Sequence, residues 1–345
     1  MWNREHPLFT FLIALFLSVC AFIGAFLFIG WPRVTPNLSY GMTYSRPYAE
    51  ELGLDPDTVL KTALDDVKIR RFRLAAYWKL IQPSRDKWDF ADLDYQISEI
   101  GKRNGKVVLA IGEKLPRWPE CWGPDWWKSM SRAEQRVETL KYIEAVVLRY
   151  KDNPTISAWQ IENEPHFAYG DCPSPDYFFM PYEGNFVRGI DPSRQIFTTD
   201  SGELSSWVTL APFVDQLGIS VYRTVRNPMF GTMNVHYWFV PPYLYKRKAQ
   251  LLRPFGVKDV YVSEFQMEPW SNKPLLETSI DDQLSSMNLK QMQANFSFAE
   301  RMEIPNIDFW GIEWWVWMKQ HGHPEFLEMA TQEFGKHPAG SSLAD

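Results

Sequence analysis

Eight short apolar runs recur along the chain, and the stretches between them carry helical periodicity. The runs are Tyr40–Tyr44, Phe72–Tyr77, Val107–Ile111, Ser157–Ile161, Ile196–Thr199, Leu217–Val221, Val260–Ser263 and Phe309–Glu313. A chain that alternates a buried strand with a helix has few folds open to it. Parallel neighbours need a crossover, and both sheet faces must then be covered. Phe90–Asn104 reads as an amphipathic helix that stops at Gly105. Ser131 with Glu134 forms a capping box ahead of a second, which runs to Tyr150, and Gln283–Met302 is a third. Eight such units predict an α/β fold of the closed (β/α)8 type, a TIM barrel, with functional residues at the C-terminal ends of the strands. A doubly wound sheet is the alternative. If it bound a nucleotide it would normally carry a Gly-rich phosphate turn, and neither G-x-G-x-x-G nor a P-loop motif is present.

The N-terminus follows a different rule. After a short tail, 1–7, residues 8–31 read LFTFLIALFLSVCAFIGAFLFIGW without a charge. Twenty-four residues span roughly 36 Å as a helix, enough to cross a bilayer core. A cleaved signal peptide is the competing reading. The run is long for one, and it ends in bulky residues rather than a small-x-small site. A single-pass transmembrane anchor is therefore expected, with Trp31 at the interface and residues 32–345 outside the cytoplasm as one barrel domain. Lys and Arg number 36 against 42 Asp and Glu, a net charge of −6, which argues against a nucleic-acid partner. The cysteines agree with an oxidising compartment. Cys121 follows the third run and Cys172 the fourth; adjacent strands would bring these loops together, so a disulfide is expected, two buried thiols being the alternative. No group of His, Asp and Glu stands at metal-ligand spacing, and no cofactor is expected.

Two carboxylates stand out. AWQIENEPH ends an apolar run at Asn163-Glu164-Pro165, and VYVSEF ends another at Glu264. In an eight-unit barrel these are the ends of the fourth and seventh strands, facing each other across the mouth. Either Glu alone suits a rim salt bridge. An opposed pair suits acetal cleavage, in which one carboxyl protonates the leaving oxygen while the other attacks or activates water. That chemistry needs unequal pKa values.

With these motifs the chain resembles the clan A retaining glycoside hydrolases, and is similar to families 5 and 42. The resemblance rests on Asn163-Glu164-Pro165, on Glu264, on the strand carrying Arg73 and on the Trp-rich eighth run. It implies Glu164 as acid/base and Glu264 as nucleophile, about 5 to 5.5 Å apart. It also implies that Asn163 binds the sugar 2-hydroxyl, that Arg73 and Tyr222 hydrogen-bond Glu264, and that a Trp floors the cleaved sugar's subsite. Trp314 and Trp315 lie nearest the expected strand end; core filling is the alternative for each ring of FWGIEWWVW. Glu313 would bind sugar hydroxyls or pair with a rim Arg. Trp118, in the stiff loop GEKLPRWPECWGPDWW, would line a further subsite or pack on its own loop; Asp200 and Glu203, after the fifth strand, stand at the rim suited to hydroxyl recognition, with the start of the following helix as the alternative for Glu203. Arg71 shares a face with Arg73 by period-two alternation. Ser220 occupies a position where some family 5 enzymes carry His. The implied partner is an oligo- or polysaccharide, with the bilayer holding residues 8–31 and no obligate protein partner. A transglycosylase and a non-catalytic carbohydrate-binding barrel are the rival readings; the second has no need for both Glu164 and Glu264.

Overall fold

The structure, a computed structural model, describes residues 7–226, 234–271 and 273–339. Most of the expected tail, 1–6, lies outside them.

Eight parallel strands close into a barrel: β1 (Ser39–Thr43), β2 (Arg71–Ala75), β3 (Lys106–Ile111), β4 (Ile156–Ile161), β5 (Gln195–Ser201), β6 (Gln216–Val221), β7 (Val260–Gln266) and β8 (Asn306–Trp310). Each is bonded to its neighbour in sequence, and β8 closes on β1 with Ser39 opposite Asn306 and Thr43 opposite Trp310. The longer helices are α1 (Pro7–Phe28), α2 (Ala91–Gly101), α3 (Arg132–Tyr150), α4 (Phe179–Ile190), α5 (Leu244–Leu252), α6 (Leu289–Ala299), α7 (Ile312–Gln320) and α8 (Glu325–Lys336). The capping box opens α3 as the sequence requires: Ser131 accepts from the Glu134 amide while the Glu134 carboxylate accepts from the Ser131 amide. A two-stranded hairpin, Thr224–Arg226 with Asn234–His236, rises beyond β6.

The eighth strand falls earlier than its apolar run implies. It spans Asn306–Trp310, and α7 starts at Ile312. Gly311, at φ 141°, makes the break; there a Cβ would lie 2.8 Å from the Met267 carbonyl oxygen. Glu313, Trp314 and Trp315 are consequently helical.

Inside the barrel the lower layers are partly polar. Arg71 and Arg73 both point inward. Arg71 pairs with Asp308 (2.8 Å) and donates to Ser39 Oγ (2.6 Å), with all three buried. Gly41 makes room for that pair, since a Cβ there would sit 2.1 Å from Asp308 Oδ1. Above it Val108, Ala158, Phe197 and Tyr261 fill an apolar layer. Branched and aromatic residues of the outer strand faces pack beneath the helices.

Cys121 and Cys172 are joined, with Cα atoms 5.2 Å apart and a sequence separation of 51. Replacing both by Ser is expected to lower stability by about 2–4 kcal/mol, because a loop of that length regains freedom in the unfolded chain. A urea midpoint equal to that of the unaltered protein would contradict this.

The N-terminal helix α1 has 22 residues, and Leu8–Phe22 are exposed throughout. At about 1.5 Å per residue it is roughly 33 Å long. It is long and apolar enough to cross a membrane and is not a core helix, which leaves a membrane anchor or a signal sequence.

Candidate active site

The end of β4 turns sharply. Glu162 and Glu164 take left-handed φ values of 57° and 45°, conformations that side chains with a Cβ adopt only under constraint. The constraint on Glu162 is visible. Its carboxylate accepts the amides of Glu113 (2.7 Å) and Lys114 (2.5 Å), in space that exists because residue 112 is glycine. Glu164 is fixed from three sides: its amide donates to Thr199 Oγ1 (2.9 Å), its carbonyl accepts from Lys114 Nζ (3.0 Å), and Ser220 Oγ donates to its Oε1 (2.5 Å).

On the opposite wall, β7 carries Glu264. The register between β6 and β7 slips between Ile219 and Ser220, which sets Ser220 opposite Glu264. Ser220 thus neighbours Glu264 through the backbone and touches Glu164 through its hydroxyl. The two carboxyl groups lie near enough for the charge of Glu264 to act on Glu164.

Their surroundings differ. Glu264 accepts from Arg73 Nη1 at Oε1 (2.5 Å) and from the Tyr222 hydroxyl at Oε2 (3.0 Å), so both of its oxygens are bonded, one of them to a cation. Among the described residues no cation is bonded to the Glu164 carboxyl; Lys114 reaches only its carbonyl. Burial, and then the charge of Glu264, push its carboxyl up to about 8, opposed by the Ser220 hydrogen bond. Near neutral pH one carboxyl therefore holds a proton while its neighbour is held by donors.

Arg73 ties the floor together. Besides Glu264 it donates to Asn163 Oδ1 (2.7 Å) and Gln160 Oε1 (2.6 Å). Asn163 Oδ1 also accepts from Thr199 (2.8 Å), and its Nδ2 donates to Glu120 Oε2 (3.1 Å). Among the described residues the second Nδ2 proton of Asn163 has no partner.

Several expected side chains stand elsewhere. Trp314 and Trp315 are fully buried in α7, their indole N–H groups bonded to Gln283 Oε1 (2.8 Å) and the Met267 carbonyl (2.9 Å). They fill the core, because the helix begins before them. Trp310, the last residue of β8, takes the place at the mouth. It is half-buried, lies edge-on to Tyr222 (5.6 Å) and beneath the Arg117 guanidinium (4.8 Å). Its buried indole N–H has no partner among the described residues. Glu313 is enclosed and takes the rim-pair alternative: it accepts from the Ser45 amide (2.6 Å) and Arg117 (3.2 Å), with no edge open to a sugar. Asp200 and Glu203 are committed likewise, to Ser205 and to Tyr245 (2.5 Å). Trp118 is exposed at the edge of the mouth, against Tyr169 (6.1 Å between ring centroids).

The structure adds groups that the sequence pattern left unmarked. Glu120 is a third buried carboxyl at this site, pushed up to about 7 by burial and by the charge of Glu264. It lies at φ 71° between Pro119 and the disulfide, in a loop rich in Trp and Pro. Trp270 stands edge-on to Tyr222 (5.1 Å) and near Tyr169 (6.4 Å). Arg117, held by Glu268 (2.5 Å) and stacked on Tyr48 (3.8 Å), backs Trp310. Among the described residues no cluster of His, Cys, Asp and Glu is placed to hold a metal ion.

Comparisons with known proteins follow the same lines. No protein-family model matches the chain. Mannan endo-1,4-beta-mannosidase A of Podospora anserina is 25% identical over 164 residues, 43% of this chain and 42% of that protein. Beta-galactosidase BgaH of Haloferax lucentense is 31% identical over 104 residues, 25% of this chain and 16% of that protein. The chain spans less than half the length of these curated relatives. Among solved structures, a GH5_18 protein of Bifidobacterium longum superposes with a TM-score of 0.58 at 12% identity, covering 88% of this chain and 81% of that one. Xylanase 10B of Thermotoga maritima gives 0.53 at 14% identity, covering 86% and 97%. At these identities the structural likeness shows the barrel.

Proposed function

We propose that this barrel, a relative of the clan A glycoside hydrolases akin to family 5, is a retaining β-glycosidase held at a membrane by α1. One observation carries the reading: two opposed carboxyl groups in unlike surroundings, Glu264 gripped by Arg73 and Tyr222, Glu164 buried beside a hydroxyl.

The proposed reaction runs in two displacements. Protonated Glu164 gives its proton to the glycosidic oxygen as the Glu264 carboxylate bonds to the anomeric carbon and the sugar–oxygen bond breaks. Glu164, now a carboxylate, takes a proton from a water that attacks the anomeric carbon. The bond to Glu264 breaks, and both groups return to their starting states. Loss of negative charge from Glu264 in the first step relieves the repulsion that keeps Glu164 protonated, which favours its second role as base. Asn163 supplies its free N–H to the 2-hydroxyl. Trp310, half-buried beside Tyr222, offers a face to the pyranose. Glu120 and Trp270 complete the subsite. A disulfide between the loops after β3 and β4 suits an extracytoplasmic domain.

The mannosidase relatives make a β-1,4-linked mannan the first substrate to try. The full chain in detergent is expected to release reducing ends from β-1,4-mannan or from one of a panel of β-linked glycans and aryl β-glycosides. Activity on none of them would sink the reading. Trp310→Ala is expected to lower kcat/KM on the accepted substrate on the order of tenfold, the worth of one stacked ring, and to leave the thermal midpoint nearly unchanged. Unaltered kinetics would remove Trp310 from the subsite.

A further inference from the structure

The end of α1 is clamped to the barrel by α5. The Tyr243 hydroxyl lies 3.0 Å from the Phe28 carbonyl and 3.1 Å from that of Gly30, and Arg247 Nη1 donates to the carbonyls of Phe26 (2.6 Å) and Ile29 (2.7 Å). Phe26 and Phe28 carry carbonyls of the kind that a helix C-terminus leaves without a helical partner, Ile29 and Gly30 follow them directly, and in an apolar layer all four need a donor. The guanidinium also complements the negative end of the helix dipole and stacks over Tyr243 (4.2 Å).

Beside the clamp is a recess of about 330 Å³, outside the barrel and away from the catalytic carboxyls, lined by Gly30, Trp31, Arg33, Arg247, Gln250 and Glu303. Its chemistry is specific: two guanidiniums, one carboxylate, one amide and an indole. Among the described residues neither the Arg33 guanidinium nor the Glu303 carboxylate is held in an ion pair. Arg247 spends one nitrogen on the clamp and turns Nη2 toward Gly30, where a Cβ would lie 2.3 Å from it.

We propose that this recess binds the headgroup of a zwitterionic phospholipid bearing a primary ammonium, its phosphate taken by Arg33 and Arg247 and its ammonium by Glu303 and the face of Trp31. The proposal rests on the reading of α1 as a bilayer anchor. Guanidinium forks match phosphate oxygens, and an ammonium is attracted both by a carboxylate and by an indole face. A free anion would account for the two arginines and leave Glu303 repelling it. The depth is right for a headgroup, since Trp31 follows the apolar helix directly. Trp238 (83% exposed) and Phe239 (56%), on the segment leading into Tyr243, are two further exposed rings of the kind that suits an interface.

The test uses the full chain in detergent micelles with equal amounts of phosphatidylethanolamine, phosphatidylcholine and phosphatidylglycerol, retained lipid being read by native mass spectrometry. Phosphatidylethanolamine is expected to be retained on the order of fivefold over phosphatidylcholine, whose quaternary ammonium donates no hydrogen bond to Glu303. Glu303→Gln should abolish that preference and keep lipid bound; Arg33→Gln should reduce retention of all three. Neither variant touches the clamp, so both should melt with the unaltered protein. Equal retention of the three lipids, a preference for phosphatidylglycerol, or displacement by inorganic phosphate at lipid concentration would each overturn the headgroup site. Alkaline carbonate washing of membranes separates the two claims. A chain that stays in the membrane without headgroup preference refutes this site alone, and a chain that washes off refutes the anchor as well.

Discussion

Glu264→Ala is expected to lower kcat on the order of ten-thousandfold or more, since it removes the group that would form the covalent intermediate. Azide should restore part of the turnover of an aryl β-glycoside, entering the space of the lost carboxylate and giving an α-glycosyl azide. The direction of attack makes that product diagnostic, as the azide approaches from the face opposite the leaving group. Arg73 would lose one of three partners and keep Gln160 and Asn163. A buried cation without its anion is costly, about 3–5 kcal/mol, so folding is to be checked by circular dichroism. Glu264→Gln, which retains an acceptor for Arg73, serves as the second variant. Near-native turnover in either would remove Glu264 from the nucleophile's role.

Glu164→Gln carries the second large effect. Its loss should depend on the leaving group: about a hundredfold to ten-thousandfold for sugar leaving groups, which need the proton, and much less for activated aryl glycosides. The pH profile should change with it. Activity of the unaltered protein is expected to fall as pH rises through about 8, where Glu164 loses its proton, and the variant should lack that limb. Stability has the same origin. The folded-state pKa of this carboxyl lies above its ordinary value of 4.5, so the unfolded chain ionises first. Its burial therefore costs nothing at low pH, and the cost grows as pH rises from about 4.5 toward 8. Glutamine cannot ionise, so the variant should melt above the unaltered protein at pH 8 and coincide with it near pH 4. Identical pH profiles for both proteins would exclude Glu164 as the titrating acid.

Much of this architecture was legible because periodicity reports burial. The apolar runs ending in Asn163-Glu164 and Glu264 locate β4 and β7 to within a few residues, and Ser131 with Glu134 marks the start of α3. Arg71 and Arg73 share a face by alternation, and both indeed turn into the barrel. The eighth strand misled because FWGIEWWVW is apolar on both sides of Gly311. A fully buried strand and a fully buried helix look alike there, and only the glycine's positive φ separates them. The misplaced boundary carried Glu313, Trp314 and Trp315 out of the cleft and left Trp310 in it. Glu120 and Arg117 were hidden for a different reason. They sit in an irregular loop with left-handed backbone, where no period exists, and their partners, Asn163, Glu268 and Glu313, come from distant parts of the chain. Ser220 acquires its place through a register slip that only the folded sheet contains.

Retention is the property on which the account turns, and proton NMR of the first-formed product measures it directly. With a β-glycoside that the full chain cleaves, the β-anomer of the new reducing end should appear first and mutarotate to the equilibrium mixture, as two inversions at one carbon require. Initial appearance of the α-anomer would mean a single displacement by water, and would contradict Glu264 as a nucleophile.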